Sequence, residues 1–130
     1  MISSIRVDGT TACMAIDGAT DTEVFATYVH QVLCPTLRPG DIVIMDNLSP
    51  HKGADALASI QQAGAEVLFL PAYSPDFNPI ENMWSKVKTH LRATEARTQE
   101  TLVDAIAVAL GRVTRQDAMN WFASCGYSII

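Results

Sequence analysis

Two short apolar runs constrain the fold most. DIVIMD (41–46) and EVLFL (66–70) are continuous rather than alternating, which is the pattern of strands covered on both faces. Residues 53–63 between them read as a helix that ends at Gly64, a residue type suited to the left-handed backbone of a helix C-terminus. Strand, helix and strand at this spacing form a βαβ unit, so the strands are expected to run parallel with a right-handed crossover. The fold class is therefore α/β.

The rest of the chain adds elements around that unit. Residues 2–7 and 11–16 are apolar runs flanking Asp8-Gly9, a dipeptide that favours the positive φ of a hairpin turn. Thr20 with Glu23 reads as a capping box, followed by helically spaced Val24, Phe25, Tyr28, Val29, Val32 and Leu33 up to Pro35. The proline-rich stretch 71–78 leads to a helix beginning near Pro79, with Ile80, Met83, Trp84, Val87 and Leu91 as its buried stripe. A further helix starts at Thr98. A last one starts at Thr114, with Asp117 completing its cap, and stops at Gly126. No repeat and no linker interrupts the 130 residues, which suits a single domain.

Composition narrows the function classes. No apolar run approaches the roughly 20 residues of a membrane-spanning helix, and no secretory leader pattern opens the chain. Cys13, Cys34 and Cys125 are odd in number and form no C-x-x-C pair, which disfavours a zinc site or a disulfide framework and fits a cytoplasmic setting. The net charge of −5 argues against a general nucleic-acid binder. Its distribution is uneven: residues 1–50 carry two basic and six acidic groups, whereas residues 79–97 carry Lys86, Lys88, Arg92 and Arg97 against Glu81 and Glu95. An anionic partner would be met along that helix.

Two acids stand where chemistry is expected. Asp46 closes the first strand of the βαβ unit, and ligands of open α/β sheets bind beyond the carboxyl ends of strands. It either satisfies turn amides or faces a cation, because a buried, unpartnered carboxylate is costly. Glu81 stands three residues after Asn78, so Asn-x-x-Glu has a structural reading as a capping box. On the helical wheel it falls at the border of the buried stripe. Together the two carboxylates offer the hard oxygen ligands that Mg²⁺ prefers. Lys52 follows Asp46, and Lys88 and Arg92 follow Glu81, where they would contact phosphates.

DIVIMDNLSPHK and VLFLPAYSPDFNPIENMWSKVK, with 34 residues between Asp46 and Glu81, resemble the catalytic core of mariner-type transposases and their bacterial insertion-sequence relatives, the DDE superfamily of endonucleases. The preceding GATDTEVFATYVHQVLCPTLRPGD matches the family's helical region, so the resemblance covers nearly the whole chain. It implies an RNase H-like mixed sheet flanked by helices, a metal triad of Asp, Asp and Glu using Mg²⁺ or Mn²⁺, and DNA as partner, both transposon ends and target. It makes Asp46 the second acid and Glu81 the third, both catalytic and both metal ligands, with Lys52, Lys88 and Arg92 as DNA-binding residues.

The sequence departs from the family at its start. The first acid belongs on a central strand upstream of the hairpin, and neither Asp8 in the turn nor Asp17 after it follows that pattern. Residues 1–130 therefore read as an RNase H-like transposase catalytic domain, truncated at the N-terminus. An unpaired strand edge recruits strands, so association is expected, as a homo-oligomer or with an N-terminal transposase fragment. The alternative is a non-catalytic remnant that dimerises or binds DNA. A serine hydrolase built on Asp46, Ser49 and His51 lacks a G-x-S-x-G elbow. Trp84 and Trp121 read as core residues, His30 and His90 as surface residues, and His51 and Tyr73 as loop-shaping ones.

Overall fold

A computed structural model describes residues 2–15, 18–72, 74–94 and 99–127, with 49–50, 94 and 99–101 by backbone alone. In chain order the elements are β1 (Ile2–Ile5), β2 (Thr11–Met14), α1 (Thr22–Tyr28), β3 (Ile42–Met45), α2 (Ala54–Gln62), β4 (Glu66–Phe69), α3 (Pro79–Thr94), α4 (Gln99–Gly111) and α5 (Arg115–Ser124). They fall into two compact units, one of residues 1–4 and 12–78, the other of residues 5–11 and 79–130. The start expected for α4 at Thr98 lies outside the described residues.

In the first unit β3 and β4 pair in parallel, with Ile42 opposite Glu66 and Met45 opposite Phe69. The expected βαβ order is present, with α2 between the two strands. Both-face burial is not. Side chains alternate between the faces of a strand, and Val43, Met45, Val67 and Phe69 belong to the core while Ile42 is 61% exposed and Leu68 53%. Continuous apolarity therefore overstated the covering, because the layer of Phe25, Tyr28, Val29, Leu33, Ala56 and Ile60 packs on one side only. β1 and β2 form a second two-stranded sheet, separate from that of β3 and β4.

Helix α1 starts one residue later than Thr20 suggested. Asp21 is the cap, its Oδ1 accepting from Val24 N–H at 2.8 Å. The helix continues as a π turn over Val29–Leu33 and a 3₁₀ turn over Cys34–Thr36. Pro35, with no N–H to donate, falls where the regular ladder has already been lost. Gly64 ends the α2 connection at φ +85°, and a β-carbon there would come within 3.0 Å of Pro39 Cα, so both the backbone angle and the space demand glycine.

In the second unit the turn between β1 and β2 closes through Gly9 N–H to Arg6 O and Arg6 N–H to Thr10 O, both 2.9 Å. Gly9 has φ +92°, and a β-carbon on it would lie 3.0 Å from Arg115 N. α3 packs against α4 and α5, burying Met83, Val87, Ala109, Ala118 and Cys125. Trp84 and Trp121, expected in the core, are half-buried. α5 has the capping box read from the sequence: Thr114 Oγ accepts from Asp117 N–H, and Asp117 Oδ2 accepts from Thr114 N–H, both at 3.0 Å. Lys86 joins this cap, donating to Asp117 and to Arg112 O at 2.9 Å. Hydrogen bonding from Lys86 and from the Thr114 backbone holds the Asp117 carboxyl below its ordinary range.

Candidate functional site

Asp46 leaves the end of β3 half-buried, at the position expected of a strand-end ligand. Its main-chain oxygen accepts from Leu48 N–H at 2.9 Å and from His51 Nδ1 at 2.9 Å. A carbonyl is only an acceptor, so Nδ1 of His51 carries the proton. The His51 ring lies against buried Phe25 of α1, with centroids 4.5 Å apart. His51 thus shapes the loop that follows β3, as expected from the sequence. The carboxylate accepts at Oδ1 from Asn78 Nδ2 at 3.0 Å, a bond spanning 32 residues of sequence. Among the described residues Oδ2 has no hydrogen-bond partner. Asp46 therefore does not use its carboxylate on the turn amides beside it.

Glu81 belongs to the second unit and Asp46 to the first, and each is placed within its own unit. Glu81 lies in the first turn of α3 and is exposed, not at the edge of the buried stripe. The capping box suggested by Asn-x-x-Glu is not formed. The Asn78 N–H that Glu81 would accept donates instead to Pro75 O at 3.0 Å, inside the 3₁₀ turn Pro75–Phe77. Among the described residues the Glu81 carboxylate has no hydrogen bond or ion pair. Ser85, Lys88 and Arg92 follow it at helical spacing and are exposed as well, so one face of α3 carries the acid and both cations. Lys52, in the 3₁₀ turn after Asp46, is exposed in the first unit.

Other charged groups are committed to structure. Asp8 accepts from Thr10 N–H at 2.8 Å inside the hairpin turn, and Asp17 lies outside the described residues. Lys86 lines a shallow groove with His90 and Arg112 but is held by the α5 cap. Among the described residues no group of three or more His, Cys, Asp or Glu side chains could hold a metal ion. The donor chemistry fits a hard divalent cation in part, through one carboxylate oxygen of Asp46 left open beside one that is held. Sequence reading missed the Asn78–Asp46 bond and the Lys86 tie. No local pattern signals a partner so far along the chain.

The family model of the DDE superfamily endonucleases matches residues 1–103, and the chain belongs to that family. A comparison with curated proteins found no match. Among the described residues the two short sheets and the flanking helices are those of an RNase H-like DDE fold lacking a strand. The match makes this a transposase-type endonuclease domain of a family that acts on DNA with divalent metal. Among the described residues no helix is long and apolar enough to cross a membrane.

Proposed function

We propose that the chain is the catalytic-core portion of a mariner-type or insertion-sequence DNA transposase, with Asp46 and Glu81 as metal ligands. The observation that carries this reading is the strand-end carboxylate of Asp46, oriented at one oxygen and open at the other, in a chain of the DDE endonuclease family. A Mg²⁺ or Mn²⁺ ion, when bound, would stabilise the charge that develops on a phosphodiester during in-line displacement. The chain's own residues contribute the rest. Asp46 and Glu81 supply anionic oxygens that a hard cation prefers. Lys88 and Arg92, exposed on the face of α3 that carries Glu81, hold the DNA backbone in register, with Lys52 as a further phosphate contact. The parent reaction is DNA strand cleavage followed by strand transfer to target DNA, in the cytoplasm.

The third acid of the triad comes, in this reading, from a preceding strand or another polypeptide. The β3–β4 sheet offers support, since among the described residues β3 has β4 as its single partner. Association through that edge, as a homo-oligomer or with an N-terminal fragment, would complete the sheet. A second reading, a non-catalytic module that binds DNA or dimerises, is favoured by the lack of a three-ligand cluster among the described residues.

One assay separates them. Labelled DNA is incubated with the chain and Mg²⁺ or Mn²⁺, alongside Glu81→Gln. Cleavage lost in the variant supports the enzyme. DNA retained without cleavage supports the DNA-binding module, and no DNA binding at low salt overturns both the enzyme and the DNA-binding module, leaving dimerisation as the function to measure.

A further inference from the structure

Asn78 is buried, at 8% exposed. A buried carboxamide left without partners is costly, so the group it faces matters. It faces Asp46: Nδ2 donates to Oδ1 at 3.0 Å. Behind Asp46, the ring of His51 braces the main-chain oxygen from Nδ1 at 2.9 Å and rests on Phe25, which is 4% exposed in the core. Asp46 is thus held at two points, its backbone by His51 and its carboxylate by Asn78. A hydrogen bond to one oxygen removes free rotation about the last side-chain torsion, which is otherwise broad and two-fold.

We propose that Asn78 is a positioning residue that locks the Asp46 carboxylate so that Oδ2 is presented to a divalent cation. The proposal rests on the metal-dependent reading above. The residue type suits the task. Asparagine donates without carrying charge, so it neither repels a cation nor neutralises the carboxylate as a lysine or arginine would. An aspartate there would set two like charges about a hydrogen-bond length apart, which one of them avoids only by taking up a proton.

The test measures Mn²⁺ affinity of the full chain by water-proton relaxation, for the native protein, Asn78→Leu, Asp46→Asn and the double variant. Outer-shell partners of metal ligands change affinity by about 10–100-fold. Asn78→Leu is expected to weaken Mn²⁺ by that factor and to add nothing in the Asp46→Asn background, since it acts through Asp46. An equal loss in both backgrounds, or no loss in either, overturns the positioning role while leaving the metal reading standing. A native chain that binds no Mn²⁺ at millimolar concentration overturns the metal reading and this role with it. Should Asn78→Leu fail to fold, a Mg²⁺ titration of the native chain followed by NMR decides. The Asn78 side-chain amide must shift with the same apparent affinity as the Asp46 backbone amide, and an unmoved Asn78 amide overturns the proposal.

Discussion

Tyr28 is 2% exposed, and its hydroxyl donates to Ala12 O at 2.7 Å. Burial pushes its pKa up to about 12. Below about pH 10 the phenol is neutral in both folded and unfolded chains. Between there and about pH 12 the unfolded chain ionises while the folded one does not, so stability falls with rising pH. The loss should approach roughly 2–3 kcal/mol. Urea unfolding at pH 9 and pH 11.5 should show it, and Tyr28→Phe should flatten the difference after an initial cost of about 1 kcal/mol for the lost hydrogen bond. At His51, replacement by Phe keeps a ring against Phe25 but removes the donor to Asp46 O, at a cost of about 1 kcal/mol by thermal unfolding. Single residues were legible where their partners were local. Asp46 stood out because a strand ended there, and Asp117 because Thr114 stood three residues ahead. Asn78 stands just before Pro79, where α3 begins, as its reading as a helix cap expects, but its bond to a residue 32 positions away leaves no mark in the neighbouring sequence.

Elements were legible where hydrophobic period and cap agreed. α5 began at the Thr114–Asp117 box and stopped before Gly126. Thr114→Ala should therefore cost about 1 kcal/mol, measured by chemical unfolding, with Lys86→Met destabilising the same cap. The pH sense is opposite to that of Tyr28. Asp117 is held low, so its contribution is present above the unfolded carboxyl pKa and is lost as pH falls through the folded one. The strands were found in place but their covering was overread, because an apolar run cannot report how many layers will pack on it. Met45 at 7% exposed and Leu68 at 53% give the contrast. Met45→Ala should cost about 2–4 kcal/mol, and Leu68→Thr should stay within about 0.5 kcal/mol. The π turn over Val29–Leu33 left no signal, since its buried residues keep ordinary helical spacing.

For the whole molecule, the parallel pair and its crossover helix gave the α/β class, and the family match extends that reading over residues 1–103. The chain carries a net charge of −5, so any DNA affinity must come from local cations rather than from a general attraction. Lys88→Ala with Arg92→Ala should weaken DNA binding across all sequences and reduce the slope of log K against log salt by about 2, read by fluorescence anisotropy. The chain passes between the two compact units three times, the last time at the Asn78–Pro79 peptide bond. Asparagine commonly ages when the next backbone nitrogen attacks its side chain, closing a cyclic imide that reopens as an acid. Proline's nitrogen carries no hydrogen and cannot make that attack. The amide opposite Asp46 is therefore shielded from that cyclisation, the usual chemical clock of asparagine.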